Sequence, residues 1–334
     1  MRAIKRVVAA VVMLMFVSSV SFSQKEVTKF LQEMGHQSIN DAEIMSKEYL
    51  RPYGEILGGS LSGNWNNSAR VHRILGFDFT VGVNMVTVPS ADQNFDVGAL
   101  IESGAFEGDW SLADPSNNMA PTIAGSMSNR AALTYGDTGE DFTLPNGTGF
   151  DRVFMPLAQA AVGLPFGFEV SLRYLPSMSV SDAGKVGMYG FALKKDVKDY
   201  LPLLNNVPFL QSTLMGGYTN FSSDIDVETF GNSNWQNNSL DVTAGSLTTR
   251  WMVGVNLPVI AVYTGLGYST TSSDFDLKGD YGQLGTDPVS LGYSTNGFDF
   301  NAGMRMRLGV FAIHGDYTFG DYSMLSFGVG LSFR

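Results

Sequence analysis

The sequence predicts an all-β fold, in which antiparallel strands close into a transmembrane barrel preceded by a small helical plug. Three observations predict it: an alternating C-terminal strand, the recurrence of that alternation along the chain, and connections that are alternately short and long. The last ten residues, Leu325 to Arg334, carry a large apolar side chain at every second position, with Ser, Gly or the terminal Arg between. A period of two is that of a strand with one apolar face, and about 9–11 residues of tilted strand cross a membrane.

Residues 1–23 have the features of a secretory signal peptide. Basic residues precede an apolar run at 7–17, and Ser21-Phe22-Ser23 is a small-x-small cleavage site before Gln24. The apolar run is shorter than a membrane-spanning helix. The chain contains no Cys, so we expect neither a lipid anchor on cysteine nor disulfides. Its net charge of −11 argues against a nucleic-acid partner.

Residues 24–73 are predicted to fold as an N-terminal plug rather than a linker. Apolar residues at 27, 30, 31 and 34 recur at helical spacing. We expect Asn40 to cap a second short helix, with Glu43 at the capping-box position, and this helix to stop before Pro52. Helices of this length are marginal alone in water. They therefore need a partner surface, and the barrel lumen is the nearest one.

A stretch rich in Gly and Asn, residues 58–67, connects these helices to the first strand. Glycine lets the backbone pass close to the barrel wall, and Trp65 is expected to wedge against that wall as an anchor. Asn66 and Asn67 follow directly. We therefore assign Trp65, Asn66 and Asn67 to the contact between plug and barrel.

Residues 74–334 are predicted to form the barrel itself. Apolar residues alternate with polar or small ones in segments that are separated by turn residues. The clear segments are 77–85, 168–174, 247–255, 260–268, 298–307, 311–319 and 325–334, and weaker ones fit 152–163, 184–194 and 208–220. These make ten strands as a minimum. An even number places both chain ends on the periplasmic side, so ten, twelve and fourteen strands remain open.

The connections between these segments are of two kinds. Tight turns are expected at 164–167, 256–258 and 308–309, and long polar stretches at 89–151, 221–245 and 270–292. Short turns at one end and long loops at the other are typical of outer-membrane barrels. The stretch 89–151 is too long for an ordinary loop. It leaves room for a further hairpin at Ala132–Tyr135 and Asp141–Leu144.

A soluble barrel or sandwich also has a period of two, but its apolar face points into the core. Here the opposite face carries Gly, Ser, Asn and isolated charges, which suits a hydrated or plugged lumen. We therefore expect the chain in the outer membrane of a Gram-negative bacterium, in contact with its lipid and lipopolysaccharide. The C-terminal strand resembles the assembly signal of such barrels. This implies the barrel-assembly machinery as a partner through Leu325 to Arg334.

The element Asn66-Asn67-Ser68-Ala69 lies shortly before the first strand and after a folded N-terminal segment. This layout resembles the FadL-type family of outer-membrane transporters for hydrophobic compounds. In that family an N-terminal hatch plugs the barrel from the periplasmic side, and an Asn-Pro-Ala element takes the matching place. The Pro is missing here. The stretches from Met155 to Pro176 and from Lys194 to Tyr218 look like an uncharacterised group of FadL-like barrels, which implies no settled activity.

Eight ionisable residues on the predicted strands are expected to face the lumen, because a charge on the lipid face costs about 2–4 kcal/mol at the membrane midplane. They are Glu169, Arg173, Arg250, Asp299, Arg305, Arg307, His314 and Asp316. One interpretation is a network of ion pairs between strands and plug; the other is a site that binds or selects a polar head group.

His314 and Asp316 share one face of a strand, so an acid–base pair for hydrolysis is also conceivable. No nucleophile elbow, zinc-ligand spacing or phosphate loop accompanies them. A polar lining of the lumen is therefore the favoured interpretation. The sequence predicts no catalytic residue, no metal and no cofactor.

The stretch 89–151 is acidic, with ten Asp or Glu residues against Arg130 alone. A solvated rim screened by cations is expected there, with Ca²⁺ binding as the alternative. The function predicted first is passive passage of small hydrophobic or amphipathic molecules through an outer-membrane channel. The second is a structural or adhesion barrel that acts through its acidic loops without transport, and the third is a barrel hydrolase.

Overall fold

A computed structural model of the chain describes residues 28–136, 141–179, 185–202, 206–226 and 236–333. The predicted signal peptide and the terminal Arg334 lie outside the described residues. After a short helix at 28–33, the chain forms the helices α1 (Ile39–Ser62) and α2 (Val97–Glu102). Within the described ranges, neither these helices nor any other combines the length and the apolar character needed to cross a membrane.

The strands in chain order are β1 (Phe77–Thr87), β2 (Asn94–Asp96), β3 (Trp110–Leu112), β4 (Met119–Pro121), β5 (Ala132–Tyr135), β6 (Asp141–Thr143), β7 (Arg152–Leu164), β8 (Phe168–Ser179), β9 (Lys185–Asp196), β10 (Leu210–Asp226), β11 (Gln236–Asn256), β12 (Ile260–Asp280), β13 (Val289–Leu308), β14 (Phe311–Phe319) and β15 (Met324–Phe333). Ten of these described strands, β1 and β7 to β15, form a closed antiparallel barrel in which β1 pairs with both β7 and β15. The predicted fold class is confirmed, at the lowest of the strand numbers left open.

The two ends of the barrel differ in their connections. We call the end with the connections 165–167, 257–259 and 309–310 the turn end, and the end with 88–151, 281–288 and 320–323 the loop end. Near the turn end the outer face is apolar: Phe327 and Val329 of β15 are more than half exposed, whereas Ser326 is buried in the lumen. A wide apolar band around a closed barrel matches the lipid-facing band of outer-membrane barrels.

Toward the loop end the same strands continue with the opposite pattern. On β12, Leu266 is exposed on the outer face, but Phe275 and Leu277 are buried inside while Ser272 and Asp274 face outward. This half of the barrel has a polar outside and an apolar inside, as a soluble protein does. The change of pattern therefore marks the edge of the lipid-facing band.

The prediction of long loops at 221–245 and 270–292 is wrong. The strand β10 runs to Asp226 and β11 begins at Gln236, while β12 runs to Asp280 and β13 begins at Val289. The prediction required an apolar outer face, which these residues lack because they extend beyond the lipid-facing band. The alternation itself persists through them.

The connection 88–151 folds over the loop end. Its short strands form a two-stranded sheet, β2 with β4, and a three-stranded sheet, β3 with β5 and β6. The pairing of β5 with β6 matches the hairpin predicted in this stretch, although its tip at 137–140 lies outside the described residues and it does not join the barrel. The backbone N–H of Ile123 donates to the Tyr49 carbonyl at 2.8 Å, so the connection packs directly on α1.

The helix α1 lies inside the loop-end half of the barrel. Its 24 residues span about 36 Å at 1.5 Å per residue, and Met45, Tyr49 and Ile56 have no exposed surface. The helix approaches the wall closely, since a Cβ at Gly54 would lie 2.3 Å from the ring of Tyr293. The apolar inner face of this half of the barrel is thus the partner surface that the helix needs.

The start of α1 differs from the prediction. Ser38 is the cap instead of Asn40, because its Oγ accepts from the backbone N–H of Asp41 at 3.2 Å, and the predicted capping box is absent. The carboxylate of Asp41 accepts from the backbone N–H of Glu107 at 2.8 Å and from the indole N–H of Trp110 at 3.0 Å. The N-terminus of the helix is therefore fixed to the connection that covers the loop end.

The predicted stop before Pro52 is also wrong, since α1 continues through it to Ser62. Proline in a helix interior costs about 3 kcal/mol, because a hydrogen bond is lost and the ring crowds a carbonyl. Here the surrounding barrel supports the helix: the Tyr293 hydroxyl donates to the Lys47 carbonyl at 3.0 Å, in the turn before the proline. Tertiary contacts thus override the local signal.

Residues 63–76, which we call the lumenal segment, continue from α1 to the turn end, where β1 begins at Phe77. The chain runs from the loop end, where a Cβ on Gly35 would lie 3.2 Å from Leu284, to the turn end, where the Leu75 N–H donates to the Gly163 carbonyl at 3.0 Å. The helical part of the N-terminal segment therefore lies at the loop end, and its extended part at the turn end.

Candidate functional site

Arg173 joins the end of α1 to the barrel wall. It is almost completely buried, and its Nη1 and Nη2 donate to the carbonyl oxygens of Leu61 at 3.0 Å and Gly63 at 2.8 Å. The last carbonyls of a helix lack partners within the helix and carry partial negative charge. A buried guanidinium from β8 satisfies them. Its carbon atom also lies 3.9 Å from the centre of the Trp65 ring.

Asn64 is the second residue of the lumenal segment. Its Oδ1 lies 2.8 Å from Nε2 of His314, and its Nδ2 donates to the Phe327 carbonyl at 3.1 Å. Gln159 donates to the Asn64 carbonyl at 2.9 Å. The backbone of Asn64 has φ +61°, a left-handed conformation that asparagine adopts more readily than most residues. Asn64 was not among the predicted site residues, although Gly-Asn directly after a helix is a known signal for such a turn.

Arg305 holds the middle of the lumenal segment. Its guanidinium donates to Asp78 Oδ2 at 2.6 Å and to Asn67 Oδ1 at 2.9 Å, and Asn67 Nδ2 donates to Asp78 Oδ1 at 3.2 Å. Asn66 is buried beside them and accepts at its carbonyl from the Tyr263 hydroxyl at 3.3 Å. Asp78 was also absent from the predicted site residues, because its alternation with apolar neighbours gives no sign of a charged partner.

Glu169 fixes the segment near the turn end. Its Oε2 accepts from the backbone N–H of His72 at 2.8 Å and lies 2.8 Å from Nδ1 of the same residue. Its Oε1 accepts from Nζ of Lys194 at 3.1 Å. All three side chains are withdrawn from solvent or nearly so. An ion pair within the wall therefore extends to the lumenal segment.

The remaining predicted residues are not brought into these contacts with the lumenal segment. Arg250 pairs with Asp299 across β11 to β13 at 2.5 Å. Asp316 is buried and accepts from Asn301, and Arg307 is half-buried at the turn end. His314 and Asp316 are not hydrogen-bonded to each other among the described contacts. The structure thus divides the eight predicted residues between contacts to the plug, pairs within the wall and the turn end.

Several buried polar atoms along this interface have no protein partner among the described residues. They are Nε1 of Trp65, Oδ1 of Asn66, Nε of Arg173, Oδ1 of Asn301 and Nε of Arg305. A buried polar group without a partner costs about 1–3 kcal/mol. The polar packing of the lumenal segment is therefore incomplete, in contrast to the apolar packing around α1.

A cavity of about 310 Å³ lies between α1 and the walls formed by β12 to β15. Its ionisable lining residues are Arg51, Glu55, Asp92, Asp299, Asp321 and Tyr322. Nη1 of Arg51 lies 3.3 Å from Oδ1 of Asp92 and 3.9 Å from Oε2 of Glu55. The acidic groups outnumber Arg51, so the cavity favours cations and hydroxyl donors over anions.

The connection 320–323 closes one side of this cavity. The Tyr322 hydroxyl donates to the Glu55 carboxylate of α1. Burial and then the adjacent Glu55 carboxylate raise the pKa of Tyr322, so its hydroxyl stays protonated as the donor. Within the described residues no group of three or more His, Asp or Glu side chains is placed to hold a metal ion.

Comparisons with known proteins add a family and a set of barrels of similar architecture. The model of one family, described as a family of unknown function (DUF6588), matches residues 1–333. No curated protein matches the chain in sequence. Among solved structures, the chain is similar to the translocator domain of the autotransporter NalP from Neisseria meningitidis, at 11% identity and a TM-score of 0.35 over 90% of this chain and 98% of that one.

Two further solved structures are similar at the same low level. One is Ail, the attachment invasion locus protein of Yersinia pestis, at 10% identity and a TM-score of 0.28 over 78% of this chain and 98% of that one. The other is the toluene transporter TbuX of Ralstonia pickettii, at 10% identity and a TM-score of 0.19 over 83% of this chain and 93% of that one. These proteins have different functions.

Proposed function

We propose that this chain, which belongs to the family of unknown function DUF6588, is a gated outer-membrane channel for small polar or amphipathic solutes. The lumenal segment, residues 63–76, is its gate. The observation that carries the proposal is that this extended segment lies in the lumen across the lipid-facing band, whereas α1 reaches the band only with its last turn, where Asn84 donates to the Ser60 carbonyl at 2.7 Å.

The contacts of the lumenal segment support its role as a gate. In the described structure residues 64–72 make no backbone-to-backbone hydrogen bond with the barrel, so only side chains hold them in place. Segments with few buried apolar contacts and no ladder are the ones that open locally at the lowest free energy. Charges such as Arg305 and Asp78 would be hydrated in an opened lumen, which lowers the cost of separating them from the segment.

The chemistry of the lining supports polar rather than strongly hydrophobic solutes. The inner positions of the lipid-facing band are occupied by residues such as Asn84, Thr248 and Ser326, all buried in the lumen. The cavity beside α1 and the acidic loop end favour neutral and positively charged solutes over anions. We place the loop end outside the cell and the turn end in the periplasm, by the rule that outer-membrane barrels have short periplasmic turns and long outer loops.

The test compares solute passage through a variant that weakens the gate with a matched control. Asn64→Gly removes the side-chain contacts to His314 and the Phe327 carbonyl, and glycine accepts the positive φ. Asp287→Gly is the control, because Asp287 also has a positive φ and one side-chain hydrogen bond, to the Gly279 N–H, but lies at the loop end.

Liposome swelling with sugars, cationic amino acids and anionic amino acids of similar size is the measurement. We expect Asn64→Gly to swell faster than the wild-type protein in sugars and cations, and Asp287→Gly to behave as wild type. A folded Asn64→Gly protein that stays impermeable to all three would contradict the channel.

The alternative is a scaffold or adhesion barrel, and one observation favours it. The loop-end half has its own apolar core around α1 and is covered by the connection 88–151, which suits a surface for partners. An impermeable Asn64→Gly protein would support this second function. A hydrolase is not proposed, because Nε2 of His314 faces Asn64 and Asp316 is bound to Asn301.

A further inference from the structure

A small basic pocket lies at the turn end of the barrel. Its volume is about 50 Å³, and it is enclosed by the lumenal segment, the turn 257–259 and the ends of β13 and β15. The basic residues that line it are Arg70, His72, Arg73, Arg305 and Arg307. No Asp or Glu of the described chain lines it, and its other polar members include neutral Ser and Asn side chains. The pocket is therefore basic although the chain as a whole carries a net charge of −11.

Two of these basic groups already have partners. Arg305 donates to Asp78 and Asn67, and His72 lies against Glu169. The Nε of Arg305 is nevertheless buried without a partner in the described structure. The charges that remain unpaired in the pocket must therefore come from the other three arginines.

Arg70, Arg73 and Arg307 have no carboxylate partner within the described contacts, and the guanidinium of Arg307 donates there to a single acceptor, the Pro258 carbonyl, at 3.3 Å. All three arginines line the same pocket of about 50 Å³, so their like charges repel one another across it. A bound anion would remove that repulsion.

We infer that this pocket is an anion-binding site that holds one phosphate or carboxylate group at the turn end. Guanidinium groups bind these groups through paired, charge-assisted hydrogen bonds. Because a buried water molecule needs a cavity of only about 10–15 Å³, a pocket of about 50 Å³ has room for one small polyatomic group of this kind. The rest of the ligand then extends out of the turn end. The group belongs either to a free anion or to the headgroup of an anionic lipid in the facing leaflet.

The inference does not depend on channel activity and is tested by binding. Full-length protein in uncharged maltoside micelles is titrated with inorganic phosphate, and its thermal unfolding is followed at constant ionic strength with chloride. The variant Arg70→Gln with Arg73→Gln removes two of the three arginines. The control variant, Arg152→Gln with Lys278→Gln, makes the same change of charge at the loop end, where both side chains are exposed.

We expect phosphate to raise the unfolding temperature of the wild-type protein and of the control. In the pocket variant the half-saturating phosphate concentration should rise at least about tenfold, as loss of one charge-assisted contact predicts. If the double variant does not fold, Arg307→Gln tests the same expectation. Equal phosphate effects in all variants would overturn the site, and so would the absence of stabilisation by both phosphate and the lipid probe described next.

A second arm identifies the source of the anion. Mixed micelles that contain phosphatidylglycerol replace the inorganic phosphate in otherwise identical titrations. Stabilisation by inorganic phosphate identifies a free anion as the ligand, and stabilisation by phosphatidylglycerol alone identifies a lipid headgroup. Both results support the site provided that the Arg70 and Arg73 changes weaken them, and a stabilisation that these changes leave at its wild-type strength refutes it.

Discussion

Removing the Arg173 guanidinium should open the channel. Arg173 donates to two carbonyls at the end of α1, at 3.0 and 2.8 Å, and lies against the ring of Trp65. A hydrogen bond to a charged group contributes about 1.5–3 kcal/mol, and a cation–π contact about 0.5–2 kcal/mol. Because the variant no longer carries the desolvation cost of a buried charge, part of this lost stabilisation is offset. A net loss of about 3 kcal/mol raises the ratio of open to closed channels about a hundredfold.

Single-channel recording in planar bilayers measures this ratio. The variant is Arg173→Met, which keeps the length of the side chain, and we expect an open fraction that is much larger than that of the wild-type protein. The control is Arg250→Met with Asp299→Asn, which removes a lumenal ion pair whose hydrogen bond does not reach the lumenal segment. If Arg173→Met migrates as a folded, heat-modifiable barrel yet opens no more often than wild type, the lumenal segment is not the gate.

Three further predictions concern orientation, packing and assembly. Gln37 is exposed at the loop end, before α1, and Tyr200 is exposed at the turn end, between β9 and β10. Because the natural chain has no Cys, a membrane-impermeant maleimide should label Gln37→Cys in intact cells and leave Tyr200→Cys unlabelled, and the opposite result would reverse the proposed orientation. Gly54→Ala places a Cβ 2.3 Å from the ring of Tyr293 on β13 and should lower the free energy of unfolding by about 1–3 kcal/mol. Gly59→Ala is the control, because a Cβ there meets open space, and it should leave the free energy of unfolding unchanged. Equal midpoints of urea unfolding for the two variants would refute the close packing at Gly54. Phe333→Ala should lower the amount of assembled barrel in the outer-membrane fraction, because it removes the last apolar side chain of β15, and normal assembly would show that the signal lies elsewhere.

The barrel could be predicted from the sequence because its lipid-facing band requires a simple alternation of residue types. Residues such as Phe327, Val329 and Leu331 alternate with small or polar ones. A lipid-facing strand can be recognised from this local pattern alone. Beyond the band the pattern inverts, as at Phe275 and Leu277, and the criterion of an apolar outer face no longer applies. A period of two with either face apolar would have found the whole of β11 to β13.

The helix through Pro52 was beyond prediction for a different reason. A proline is a local signal, whereas the support for α1 comes from residues such as Tyr293, which lies 246 positions from Lys47 in sequence. The same limit applies to the site. Arg173 and Arg305 could be predicted to face the lumen from strand alternation alone, but their partners Gly63 and Asp78 depend on how the lumenal segment passes through the barrel.

The course of that segment has a consequence for biogenesis. The first and last strands of the barrel, β1 and β15, are joined by a ladder that runs from Phe77 opposite Phe333 to Val86 opposite Met324, and α1 already lies within the ring that this ladder completes. A closed barrel has no opening between its strands through which α1 and the connection 88–151 could enter. In the orientation proposed above, the N-terminal residues must therefore cross the membrane together with β1, as two arms of one hairpin, before β1 pairs with β15. The order of insertion is thereby restricted, because the residues synthesised first are enclosed by a barrel that the last strand closes.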